Sequence, residues 1–152
     1  MKKYKFFWSG PFSNWHSSYF TVDNIEYNCG EQYMMHVKAL CFNDKVSARK
    51  IMNTDNPKQQ KALGRDVKNF NETKWVSVRY DLVKKGLREK FSQNEDLKKY
   101  LLSFKDYLIV EASPYDRIWG IGFLEKDALS NIDKWGENLL GKILVELANE
   151  IV

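Results

Sequence analysis

Two carboxylates, Glu31 and Asp116, and one amine, Lys38, stand in settings suited to chemistry in this 152-residue chain. Glu31 begins the run Glu31-Gln32-Tyr33-Met34-Met35-His36-Val37-Lys38, whose apolar spacing predicts a helix. Glu31 and Lys38 are 7 residues apart, nearly two turns. They share a helix face yet are too distant to touch directly. Met34 and Met35 lie between them, around the same side. Such a pair is either two surface groups snorkelling over apolar neighbours or the two ends of a pocket, and spacing alone leaves both open.

Asp116 sits in Ser113-Pro114-Tyr115-Asp116-Arg117-Ile118-Trp119-Gly120-Ile121-Gly122, directly after a predicted strand. Loops leaving buried strands are common sites of function. Gly120 and Gly122 allow backbone conformations closed to other residues, or close approach to a ligand. Trp119 offers a flat surface for a base or sugar. The competing reading is a tight turn capped by Asp116, with Trp119 plugging the core. Two further places carry polar groups beside turns. In Phe12-Ser13-Asn14-Trp15, Ser13 and Asn14 suit turn backbone as well as a phosphate or ribose hydroxyl. Arg65, after Gly64, either pairs with a helix end or holds a phosphate.

The elements that must position these groups follow from the pattern. Tyr4 to Trp8 and Ser18 to Val22 read as short strands, and Asp23-Asn24 turns the chain into a return strand over Ile25 to Asn28. A helix is predicted from Glu31 to Phe42. Asn43-Asp44 caps another through about Met52, and Asn56-Pro57 starts a third with Gly64 as its stop. Asn71 caps a longer helix with the stripe Trp75, Val78, Leu82, Val83 and Leu87, which Gly86 weakens near its end. Asn94 caps a helix carrying Leu97, Tyr100, Leu101 and Phe104. Tyr107 to Glu111 reads as a strand, and the amphipathic tail from about Gly136 to Val152 as a helix sealing the core. The fold class is α+β and mainly helical, in a single domain over 1–152. Its β structure is a small element near the N-terminus and one strand before the Asp116 loop.

Composition narrows the function classes. At 43% hydrophobic and 14% aromatic, the chain can bury a core and need not be disordered. A net charge of +4, with short and interleaved basic runs, biases weakly toward phosphates and is no footprint for duplex nucleic acid. Cys29 and Cys41 form no CxxC pair, and His16 and His36 form no HExxH. A metal site would need more ligands than these, so no metal and no cofactor is expected. Both cysteines are expected reduced and buried. The basic start is followed by too short an apolar run for a signal peptide, and no stretch approaches the about 20 apolar residues of a membrane span. The expectation is a cytoplasmic protein with no membrane partner; the sequence says nothing of its oligomeric state.

Taken in order, the FSNW segment, GEQYMMHVKAL, KALGRDV with Trp75 beyond it, EKF at 89–91 and EASPYDRIWGIG resemble the NADAR family, also called YbiA-like. The resemblance runs through nearly the whole chain, and the ordered combination is specific where single pieces are not. It implies a mostly helical fold with a small β element and hydrolysis of N-glycosidic bonds. The substrates it implies are ribosyl-phosphate intermediates of riboflavin synthesis, or ADP-ribose attached to guanine in a nucleotide or in DNA. On DNA, an extruded or single-stranded base suits this chain better than an extended duplex.

By the same resemblance, the functional positions fall on Glu31, Lys38, Trp75, Asp116 and Trp119. Glu31, Lys38 and Asp116 are then expected to be catalytic. Trp75, Trp119 and Gly120 would border the substrate, and Ser13, Asn14 and Arg65 would contact phosphate or hydroxyl groups. Lys38 has two candidate roles, a Schiff base with the opened ribose or a charged phosphate anchor. The alternative reading of the whole chain is a non-catalytic module that binds NAD or ADP-ribose.

Overall fold

The computed structural model describes residues 3–152. The chain forms two compact units: residues up to Ser13 together with Glu95–Val152, and Asn14–Asn94.

The first unit contains β1 (Lys3–Phe7), α5 (Glu95–Ser103), β4 (Tyr107–Glu111), the short α6 (Glu125–Ala128), a 3-10 helix over Leu129–Lys134 and α7 (Leu139–Glu150). β1 and β4 pair in parallel, Lys3 opposite Tyr107 and Phe7 opposite Glu111. That pairing of distant segments was not predicted, because parallel partners leave no turn signal between them. Leu140, Ile143, Leu144 and Leu147 of α7 are fully buried, so the tail helix does seal this core. Gly141 allows α7 to lie against β4, since a Cβ there would meet the Ile109 carbonyl at 2.1 Å. Val110, Ile121 and Ala128 form a second layer, with Tyr4, Phe6, Phe123 and Trp135 packed around it. The segment 125–134 had no predicted structure, as its helices are too short to show a period.

The second unit holds the hairpin β2 (Phe20–Val22) and β3 (Ile25–Tyr27), then α1 (Gly30–Cys41), α2 (Lys45–Met52), α3 (Pro57–Arg65) and α4 (Glu72–Gln93). Asp23 and Asn24 both take positive φ, 50° and 67°, as a two-residue hairpin turn requires. Asp44, Asn56 and Asn71 cap α2, α3 and α4 as expected, each side chain accepting from the first turn. The Asp44 carboxyl also accepts from the Lys68 backbone; that bond, with those from Ser47, holds its pKa down at about 2.

Three expectations are corrected. Gly64 does not stop α3, which runs on to Arg65; a Cβ at 64 would fall 1.9 Å from Met35 Sδ, so this glycine serves the approach of α3 to α1. Asn94 turns its amide back, donating to the carbonyls of Lys90 and Tyr19, and so closes α4. Cys41 is only partly buried, while Cys29 is buried; both are free thiols. Gly86 leaves α4 unbroken. A Cβ there would overlap the Tyr33 ring at 2.2 Å, so it too marks a close crossing of α1 and α4. Among the described residues, no helix is long and apolar enough to cross a membrane.

Candidate active site

The start of α1 is set by the chain on either side of it. Cys29 is extended, and its sulfur accepts from the Gln32 N–H at 3.5 Å. Gly30 lies so close to Asn14 that a Cβ would stand 2.5 Å from Asn14 Oδ1. This contact lets the Asn14 carbonyl accept the Glu31 N–H at 2.8 Å, satisfying an otherwise orphaned donor of the first turn. Asn14 is itself buried, and its Oδ1 has no hydrogen-bond partner among the described residues. A buried acceptor of this kind calls for a donor from outside.

Glu31 is 5% exposed, and the Trp15 indole N–H donates to its Oε1 at 2.9 Å. Trp15 was not singled out by sequence. The two residues are 16 apart and meet only through the fold. Beneath them, Gln60 is fully buried and satisfied, accepting from Cys29 Sγ and donating to Asn28 and Thr54. Burial raises the Cys29 thiol, and burial followed by Lys90 lowers His16.

Lys38, further along α1, is partly buried. Its Nζ donates to the Gly64 carbonyl at 2.8 Å and lies 4.8 Å over the Phe70 ring. Burial lowers its pKa, Glu31 opposes that shift, and Arg65 adds to it. Lys38 is therefore within electrostatic reach of Glu31 and of Arg65, the latter exposed at the end of α3. Trp75 is 6% exposed on the inner side of α4, with little ring surface open to a ligand. Lys90, which the sequence reading left without a role, is fully buried on the same helix; burial pulls it down to about 7. In the sequence it stands on the apolar stripe, between Leu87 and Phe91, and at the centre of the EKF motif at 89–91.

Ser13, Asp116, Trp119 and Gly120 belong to the other unit. Ser13 is buried and its N–H donates to the Gly10 carbonyl. Asp116 Oδ1 accepts from the N–H groups of Ile118 and Trp119 at 2.9 and 2.8 Å. The turn-capping role of Asp116 is thus real, and it occupies one of the two carboxylate oxygens. The loop is fixed from behind. The carbonyls of Ile118 and Trp119 accept the first N–H groups of α7, and Asn138, at φ 53°, bonds β4 through both ends of its side chain. Gly120 is a packing glycine, as a Cβ would meet Glu111 Oε2 at 2.5 Å and the Asp116 carbonyl at 3.0 Å. Trp119 is partly exposed. Beside the loop, Trp8 and the strongly exposed Tyr115 form a tilted aromatic pair at 5.9 Å.

A NADAR domain model matches residues 6–152. The chain is 50% identical over 128 residues to an N-glycosidase of Acanthamoeba polyphaga mimivirus, covering 82% of this chain and 75% of that protein. It is 30% identical over 142 residues to N-glycosidase YbiA of Escherichia coli (strain K12), covering 93% and 81%. Protein irg-1 of Caenorhabditis elegans is 37% identical over 131 residues, 84% of this chain and 62% of that protein. The NMR structure of E. coli YbiA superposes with a TM-score of 0.81 at 28% identity, over 99% of this chain and 86% of the other.

Proposed function

Since the chain belongs to the NADAR domain family, we propose that it is an N-glycosidase hydrolysing the C1′–N bond between a ribose and a nitrogen base. The observation that carries this reading is the buried Glu31 carboxylate, oriented by Trp15 at the first turn of α1. Two relatives bear the name N-glycosidase, which supports the same reaction class. The finer substrate we propose is a ribosyl-phosphate or ADP-ribosyl conjugate, the latter on guanine of a nucleotide or single-stranded DNA.

Cleavage of the C1′–N bond builds positive charge on the ribose. A carboxylate in a dry setting opposes that charge more strongly than one in water. Glu31 takes this role. Asp116, with Oδ2 left over from its turn bonds, handles the proton chemistry of the departing base or the attacking water. Asn14 Oδ1 receives a ribose hydroxyl. Lys38 and Arg65 face the phosphate. The Gly64 carbonyl and the Phe70 ring both favour a charged amine at Lys38, and so support the anchor over the Schiff base. Trp119 walls the base, with stacking worth about 1–3 kcal/mol.

The test is a mass-spectrometric cleavage assay on a ribosylaminopyrimidine phosphate and an oligonucleotide carrying ADP-ribosyl-guanine, with Glu31→Gln as control. Cleavage of one substrate alone identifies the class. Binding of both without cleavage by folded protein would replace the enzyme with an ADP-ribose-binding module. Borohydride trapping of an adduct on Lys38 during turnover would restore the Schiff base.

A further inference from the structure

The net charge of +4 is not spread over the chain. Residues 44–68 hold seven cations and three carboxylates, and of the 24 basic and 20 acidic residues the remainder keeps 17 of each. On α2, Lys45, Arg49 and Lys50 are exposed opposite the buried Ala48 and Ile51. On α3, Lys58, Lys61 and Arg65 stand at i, i+3 and i+7, one stripe opposite the buried Gln60 and Gly64. The two helices pack against each other and both against α1. The Lys68 N–H donates to Asp44 Oδ2 at 2.9 Å, which ties the exposed Lys68 to the start of α2, one residue before Lys45. The two stripes therefore lie side by side on the outer surface of this helix pair. None of the seven side chains has a hydrogen bond or an ion pair among the described residues, whereas Lys85 on α4 pairs with Asp23 at 2.8 Å. Nor do the acids of the segment cover them. Asp44 is buried and bonded to Ser47 and Lys68, and Asp55 and Asp66 lie before and after α3, off its stripe. Uncompensated cations so placed repel one another, and a polyanion relieves that repulsion.

A chain of phosphates fits this face better than a single anion or a lipid surface. Stripes on helices of 8 and 9 residues, about 12–14 Å long, call for several anions in series. A membrane-binding face sets large apolar side chains among its cations, and Val46 is the one such residue exposed on α2 and α3. One end of the surface adjoins Lys38, whose Nζ donates to the Gly64 carbonyl within α3. We propose that the outer faces of α2 and α3 bind the phosphate backbone of a single-stranded nucleic acid and lead that strand to Lys38. A single strand, not a duplex, follows from a reaction that needs its base out of the stack. The inference rests on the N-glycosidase reading for its meaning, a strand instead of a free metabolite as the carrier of the cleaved bond, but binding needs no turnover.

The test is fluorescence anisotropy of a short, unmodified, labelled oligodeoxythymidylate titrated with the full chain between about 50 and about 200 mM KCl. The association constant should fall with salt at a log–log slope of about −3, as about four neutralised phosphates give on a single strand. Arg49→Gln/Lys58→Gln/Lys61→Gln should weaken binding at least about tenfold and flatten the slope by about 2, with an unchanged circular dichroism spectrum. The charge-matched control Lys99→Gln/Lys105→Gln/Lys126→Gln, at exposed lysines of the other unit, should stay within about twofold of the native chain. Equal weakening in the two triple variants would reduce the effect to net charge and overturn the surface. So would absence of salt-dependent binding, tighter binding of the duplex with oligodeoxyadenylate, or preference for phosphatidylcholine–phosphatidylserine vesicles over the strand. Any of those results with cleavage of the ribosylaminopyrimidine phosphate intact leaves the N-glycosidase standing, and strand binding through this face without cleavage of either substrate does the reverse.

Discussion

Glu31 enters the interior at the first turn of α1, 5% exposed, with one oxygen held by the indole of Trp15. Asp116 sits partly exposed on a loop, and one of its oxygens is committed to two backbone N–H groups. The two carboxylates are chemically alike, but the fold asks different things of them. At Glu31 the carboxylate is buried with its Oε1 bonded to Trp15, a setting that strengthens its action on a developing positive charge. At Asp116 the same group shapes the loop that carries it, and part of any substitution's effect is structural. A variant that keeps an oxygen acceptor separates the two roles.

The largest expected effect is at Glu31. Glu31→Gln retains an oxygen for Trp15 and should stay folded while turnover falls at least about a hundredfold, roughly 2.7 kcal/mol of barrier. Normal turnover in a folded variant would remove Glu31 from the chemistry. Asp116→Asn should lose activity to a similar degree while its Oδ1 still caps the loop. Asp116→Ala should in addition lower stability by about 0.5–2 kcal/mol, as loss of a capping acceptor does elsewhere. Equal melting temperatures for the Asn and Ala variants would erase the structural half of the comparison.

Packing around α1 gives the next effect. Gly86→Ala forces a methyl into the Tyr33 ring and should destabilise by about 1–3 kcal/mol in urea titration. A neutral result would mean that the crossing of α1 and α4 is looser than the 2.2 Å approach requires.

The smallest effect per measurement is a pH slope. Lys90, pulled by burial to about 7, binds fewer protons in the folded state than in the unfolded state, where a lysine titrates near about 10.4. Stability should therefore rise with pH between about 7 and about 10, at up to about 1.4 kcal/mol per pH unit. Lys38, lowered in the same direction, adds to the upper part of that rise. Tyr27 and Tyr33, both raised by burial, reverse it at higher pH. Denaturation of Lys90→Met at pH 7, 8 and 9 should show a flatter profile. An unchanged slope would assign the rise to other groups.

Much of this fold was legible because its signals are local. Asp44, Asn56 and Asn71 cap helices through side chains that reach only the next turn, and Asp23-Asn24 adopt the positive φ that Asp and Asn tolerate. The strand Tyr107–Glu111 and the burial of α7 followed from period and composition. Glu31, Lys38 and Asp116 were legible as candidates only through the order of several motifs, since spacing left each of them two readings.

What the tertiary structure alone decided are the relations between residues far apart in the chain. The glycines at 64 and 86 look like a stop and a weak point in sequence, yet they are where Met35 and Tyr33 press against neighbouring helices. Trp15 meets Glu31, and Lys38 settles between the Gly64 carbonyl and Phe70, through packing that no periodicity encodes. Local hydrogen bonding and hydrophobic period act over a few residues and are written in sequence order. Close approach and burial depend on which surfaces meet in space, and only the folded chain brings those surfaces together.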